Sequence, residues 1–270
     1  MKKITSLQNE KIKYTQTLYK RKKREAAGIF LAEGVRLAEM ALASSNKIEY
    51  AFLREKAMEN PRLADVVSRL IEKKVDVYDL PTSLFQKITG TVTSQGILLA
   101  VCEQKCRLEN LLQTEASPFW VVLDGVQDPG NAGSILRTAE AAGAKGAIFL
   151  QGSMDAYSDK VVRSSMGAIF TLPIVTQVER AKLIEMCKAR GIRLLVTLLD
   201  NEATPYTQVD YHAPLALVLG NEGAGVSAEL TAAADEKIYI PIYGKAESLN
   251  VAAAAAILSY RSAEVHASTM

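Results

Sequence analysis

The 270-residue sequence predicts an α/β protein in two parts, and three observations carry that prediction. The length exceeds what one small core needs and suits two domains. Short apolar runs alternate with segments of helical period along nearly the whole chain, the arrangement of strands covered by helices. In the second half the strand runs are apolar almost without interruption, as in "FWVVLDGV" at 119–126, which marks parallel strands buried on both faces.

The elements follow in chain order. Residues 1–25 hold nine basic side chains against Glu10 and Glu25, so this arm carries +7 and the other 245 residues sum to −5. A block of that density predicts contact with a polyanion, RNA or DNA, with Tyr14 and Tyr19 as surfaces for stacking on unpaired bases. "FLAEGVRLAEMAL" (30–42) reads as a strand end feeding a helix, with Leu31, Val35, Ala38 and Leu42 on one face. Then come a strand at 48–54, a helix at 61–74, a strand at 75–80, a short helix at 81–89 and a last strand at 95–103. The polar stretch 104–118 carries no strand signal. The resulting division is a first domain at 1–105, a linker at 106–117 and a second domain at 118–270.

In the second domain "DPGNAGSILRTAEAAGA" (128–144) is a turn and a helix stopped at Gly143. A strand at 145–151 and a helix at 158–170 follow, then a helix at 179–191 whose C′ residue is Gly191. Strands at 192–199 and 213–220, a helix at 228–234 and a strand at 237–242 lead to "GKAESLNVAAAAAILSY" (244–260). There Ser248 and Asn250 precede an alanine run: polar caps for the first free amides, then the best helix former. The tail 264–270 is expected to fray.

Several function classes drop out. No apolar run is long enough to cross a bilayer, and the charged N-terminus is not a secretory signal. Cys102, Cys106 and Cys187 are sparse and unpaired, which fits free thiols in a reducing cytosol and no zinc site. There is no G-x-G-x-x-G and no P-loop, and no His/Glu pair has metal-ligand spacing. His212 and His266 are the only histidines, and neither reads as a catalytic base.

What remains are three loops at strand ends, 128–134, 220–227 and 244–250, each setting Asn or charged groups beside glycine. In an open α/β sheet ligands bind beyond the carboxyl ends of the strands, and glycine lets backbone approach a ligand closely. These loops are the default site.

"DPGNAGSILRTAEAAG", "LVLGNEGAGVS" and "IPIYGKAESLNVAAAAAILSY" resemble motifs 1, 2 and 3 of the SpoU (TrmH-type) RNA 2′-O-methyltransferases of the SPOUT superfamily, in the family's order across 118–262. The first half more weakly resembles the small substrate-binding domain that often precedes them. The resemblance implies a C-terminal parallel-sheet domain tied in a deep trefoil knot, preceded by an L30e-like α/β domain. It also implies S-adenosylmethionine as donor, a ribose 2′-hydroxyl as acceptor, a homodimer through the C-terminal domain, and a cytoplasmic enzyme acting on RNA, ribosomal rather than transfer.

Carried over residue by residue, the resemblance assigns cofactor binding to Gly220, Ile240 and Leu249, with the two apolar side chains framing adenine and Gly220 leaving room. Arg137 takes the main catalytic role. An arginine's pKa lies too high for a base, so Arg137 is expected to grip a phosphate and stabilise developing alkoxide charge. Read without the motifs, it is a surface ion pair with Glu140. Asn131 shares its motif. Glu222 is placed to orient Arg137 or the ribose, or to accept the proton. Asn250 is expected to fix the acceptor or Arg137, and Ser248 to order its loop. No metal is implied. Two rivals stand beside this reading: an RNA-binding protein without catalysis, and a base methyltransferase of the same superfamily.

Overall fold

The computed structural model describes residues 1–91, 93–113, 118–199, 203–212 and 214–267. The last four residues of the expected linker and the end of the expected frayed tail, 268–270, lie outside the described residues. In the first part of the chain the elements are β1 (Lys2–Lys3), α1 (Glu10–Thr17), α2 (Arg21–Ala27), β2 (Ile29–Glu33), α3 (Val35–Ala43), β3 (Ile48–Arg54), α4 (Pro61–Glu72), β4 (Asp76–Leu80), α5 (Thr82–Phe85) and β5 (Ile97–Cys102). There follow α6 (Leu108–Leu111), β6 (Phe119–Asp124), α7 (Pro129–Ala141), β7 (Ala147–Leu150), α8 (Asp159–Ser164), β8 (Ile174–Val178), α9 (Arg180–Arg190), β9 (Arg193–Thr197), β10 (Thr204–Pro205), β11 (Leu215–Gly220), α10 (Ala228–Ala232), β12 (Glu236–Tyr239) and α11 (Val251–Ala267).

These elements form two compact units, one of 1–104 with 157–171, the other of 105–156 with 172–270. The first is a mixed five-stranded sheet in the order β1-β4-β3-β5-β2. The basic arm is a packed part of it. Asn9 caps α1 by accepting from the Lys11 N–H, and Ile12 and Leu18 reach the core beside Tyr50, Phe52 and Leu80. Lys13, Lys20, Lys22 and Lys23 stay exposed. Of the two tyrosines expected to stack on bases, Tyr14 is exposed but Tyr19 is engaged: its hydroxyl donates to the Ile88 carbonyl at 2.8 Å, and burial pushes its phenol well above the ordinary range.

Residues 157–171 complete this unit. Tyr157 and Phe170 pack their rings on Phe30 at 5.1 and 5.9 Å between centroids. The single helix expected over 158–170 is broken. α8 stops at Ser164, and Met166 and Gly167 adopt φ of 51° and 104° before a 3-10 turn at Ala168–Phe170. Gly167 faces the Met40 side chain so closely that a Cβ would overlap it, so lack of a side chain there sets the turn against α3.

The second unit is a seven-stranded sheet, β10-β12-β9-β11-β6-β7-β8, parallel at every pairing. Every residue of β6 and β11 is buried, as uninterrupted apolar runs require. The segment read as a polar linker contributes to this core: Leu108, Leu111 and Leu112 pack with Trp120, Val122 and Ile148, each such leucine worth about 1.5–3 kcal/mol when fully buried. The Trp120 indole donates to the Leu111 carbonyl at 3.0 Å. Because β6 and β11 run parallel, with Gly220 opposite Asp124, their following loops leave the sheet on one edge. After β12 the chain returns past β9, and α11 packs on α7 and β11. α11 runs on through 264–267 of the expected tail.

Candidate active site

The three loops meet. α7 starts with Pro129, and the Asp128 side chain caps it by accepting the Asn131 N–H at 2.8 Å. The Glu222 carboxylate, from the loop after β11, accepts from the N–H groups of Gln127 and Asp128 at 3.2 and 3.1 Å and from Asn131 Nδ2 at 2.9 Å. A carboxylate at a helix N-terminus is favoured by the free amides and the helix dipole. Asn131 Oδ1 in turn accepts from Asn250 Nδ2 at 2.9 Å. Asn250 caps α11, its Oδ1 taking the Ala252 and Ala253 N–H groups at 2.9 and 3.4 Å. One chain of side-chain bonds thus runs Glu222, Asn131, Asn250 across all three loops.

Burial pushes the Glu222 carboxyl up, but the bonds from Asn131 and from the N–H groups of Glu222, Gln127 and Asp128 outweigh it and hold the group below its ordinary range. It is ionised at neutral pH with its oxygens occupied. That suits holding residues 127–131 in place and makes it a weak proton acceptor.

The 220–227 loop is closed on itself. Asn221 and Gly225 exchange backbone hydrogen bonds at 2.9 and 3.0 Å, Asn221 Oδ1 accepts from the Gly223 and Ala224 amides, and Gly225 sits at φ 71°. The space at Gly220 is taken by this loop's own return: a Cβ there would collide with the backbone of Gly225 and Val226. Gly220 therefore leaves room for the loop, where the sequence had pointed to room for a ligand.

Between this loop and residues 247–251 lies a cavity of about 630 Å³, within the range of small-molecule sites. Gly220, Ile240 and Leu249 all line it, with Leu219, Ile238 and Ile242 adding apolar wall. Among the described residues its charged lining groups are Glu222 and Glu247, so the cavity favours a partly apolar ligand that carries positive charge. Among the described residues no cluster of His, Cys, Asp or Glu is arranged to hold a metal ion, and no helix is long and apolar enough to cross a membrane.

Two expected residues are not drawn into the network. Arg137 stands six residues after Asn131, about 9 Å along α7 and about 120° around it. It is exposed and makes no hydrogen bond or ion pair among the described residues, with Glu140 or otherwise. Ser248 lines the cavity without a hydrogen bond among the described residues; the cap on α11 is made by Asn250 alone. His212 pairs with Asp210 at 2.8 Å, away from the cavity lining.

Sequence reading missed Asp124 and Arg180. The Asp124 side chain is 1% exposed. Its Oδ1 receives Arg180 Nε at 2.8 Å and Nη2 at 2.5 Å, and its Oδ2 accepts the Ser227 N–H at 2.7 Å. Asn221 Nδ2 donates to the Gly125 carbonyl at 2.8 Å. Together these bonds tie both ends of the 220–227 loop to the end of β6. A charged residue closing an apolar strand run, as Asp124 does in "FWVVLDG", was the available signal.

Residues 118–260 match the SpoU rRNA Methylase family and residues 9–99 an MRM3-like substrate binding domain. Among curated proteins the chain is 37% identical over 260 residues to the 23S rRNA (guanosine(2553)-2′-O)-methyltransferase RlmP of Bacillus subtilis, covering 96% of this chain and 98% of that one. Among solved structures it resembles the AdoMet-bound rRNA methyltransferase of Sinorhizobium meliloti, with a TM-score of 0.87 and 31% identity over 98% of each chain. It also resembles the SpoU methyltransferase AviRb of Streptomyces viridochromogenes, with a TM-score of 0.84 and 28% identity over 97% of this chain and 99% of that one.

Proposed function

Since the chain belongs to the SpoU rRNA Methylase family, we propose that it transfers the methyl group of S-adenosylmethionine to a ribose 2′-hydroxyl of 23S ribosomal RNA. The observation that carries the reading is an acidic, apolar-walled cavity between two of the loops, with the third loop bonded through Asn131 to its lining residues Glu222 and Asn250. The donor's adenine suits the slot between Ile240 and Leu249, and its cationic end suits Glu222 and Glu247. When bound, S-adenosylmethionine supplies an electrophilic methyl group. The chain's own residues do the rest. Glu222 fixes the start of α7. Asn131, held by Glu222 and Asn250, keeps one amide hydrogen for the acceptor ribose. Arg137, without a hydrogen bond or ion pair among the described residues, grips an RNA phosphate and stabilises charge developing on the 2′-oxygen. Holding donor and acceptor in register provides much of the rate.

Ribosomal rather than transfer RNA is favoured because rRNA enzymes match both units of this chain nearly end to end. The same reading takes residues 1–105 as the RNA-binding domain, 118–270 as the catalytic one and the cytoplasm as the place of action. It includes a homodimer, supported by an α11 face of Ala253, Ile257 and Tyr260 that is not buried within the chain. It includes the trefoil knot, supported by the return of the chain after β12 to place α11 on α7.

The test is methyl transfer to protein-free 23S rRNA, followed by nucleoside digestion and mass spectrometry. A 2′-O-methylated nucleoside is expected. A base-methylated product, or donor binding without transfer, refutes the assignment.

A further inference from the structure

Among the described residues Tyr243 is the most exposed large apolar side chain, at 96%. Leu199 is exposed at 63% and Leu249 at 40%. Single exposed apolar residues are ordinary, but Tyr243 stands well above the others and beside the cavity. Leu199 and Leu249 line the donor cavity, and Ile242, beside Tyr243, lines it too. Tyr243 itself is outside that lining and lies in the exposed stretch 243–250. Its ring therefore serves neither the core nor the cavity, yet it belongs to the loop that walls the cavity. Lys245 lies two residues on, also exposed. An aromatic face with a cation beside it matches an unpaired nucleotide, whose base stacks on the ring and whose phosphate meets the ammonium.

We infer that Tyr243 is a stacking platform for an unpaired base of the RNA next to the methylated ribose, with Lys245 receiving an adjacent phosphate. The inference rests on the methyl-transfer reading and adds a positioning residue to it. Stacking holds the acceptor strand at the cavity mouth, so its loss weakens RNA engagement and leaves donor binding alone.

The test uses the full chain as wild type, Tyr243→Ala and Tyr243→Phe, with protein-free 23S rRNA as probe. KM for RNA is read from transfer of labelled methyl, donor affinity from calorimetry and oligomeric state from sedimentation. Tyr243→Ala is expected to raise KM for RNA by about 5- to 150-fold, the range for losing one stacked base, with donor affinity and oligomeric state unchanged. Tyr243→Phe, which keeps the ring, is expected to stay within about twofold of wild type. An unchanged KM in Tyr243→Ala overturns the inference. So does a Tyr243→Phe as weak as Tyr243→Ala, which assigns the effect to the hydroxyl, or a change in oligomeric state, which assigns the ring to a second copy of the chain. A wild-type protein that transfers no methyl group to RNA overturns the methyl-transfer reading itself, and this inference with it.

Discussion

The bond between Asn131 and Asn250 joins loops 119 residues apart in sequence at 2.9 Å, and a double-mutant cycle isolates it. Asn131→Ala removes that bond and the one to Glu222. Both are exposed, so water competes, and each is worth about 0.5–1 kcal/mol, the lower part of the range for hydrogen bonds. Asn250→Ala removes the same bond and the α11 cap, the latter worth about 1 kcal/mol. Each single variant is therefore expected to lose about 1–2 kcal/mol. The double variant should lose less than their total by about 0.5–1 kcal/mol, because the shared bond is broken only once. Urea unfolding followed by fluorescence measures this cleanly. Trp120 is the only tryptophan, is fully buried in β6 and reports the unit that holds the site, which matters because a two-unit chain need not unfold in one step. A coupling energy below about 0.3 kcal/mol, the usual scatter for independent sites, would falsify the claim that the loops are joined through these side chains.

Four further outcomes follow from the same geometry. Arg137→Ala should abolish methyl transfer while donor binding by calorimetry stays near wild type, with stability within about 0.5 kcal/mol because the side chain is exposed and has no partner among the described residues; full activity removes its assigned role. Gly220→Ala should eliminate donor binding and lower the Trp120 unfolding midpoint, since the added methyl meets the backbone of Gly225 and Val226; normal donor affinity contradicts this. Arg180→Met leaves the Asp124 carboxylate buried and uncompensated, at a cost of about 3–5 kcal/mol; a loss as small as that of a surface ion pair, about 0.5 kcal/mol, shows that water reaches Asp124. Glu222 is held below its ordinary value of 4.5, so the folded state binds fewer protons there than the unfolded one, and its stabilisation is present above that value and lost as pH falls through the folded one. The stability gap between wild type and Glu222→Gln should therefore narrow on acidification from about pH 6 towards pH 3, and a gap that widens reverses the sign.

Local sequence determined much of this protein. The uninterrupted apolar runs of β6 and β11 made them buried parallel strands. Parallel strands send their loops to one edge, so the glycine- and asparagine-bearing turns after them made that edge the candidate site. Asn250 before an alanine run made a helix cap, and it is one. These features are legible because periodicity and capping act within a few residues.

Tertiary structure decided what depends on strand order and on contacts far along the chain. Glu222 accepts bonds from Gln127, Asp128 and Asn131, more than 90 residues earlier, and nothing local showed that its carboxylate would be occupied. Asp124 and Arg180 meet because β6 lies where α9 begins beyond its end. Residues 157–171 pack on Phe30 of the other half, and leucines in a polar-looking connector enter the second core. Hydrophobic burial is non-directional: the sequence states that a face will be buried, and the fold alone selects the surface that buries it.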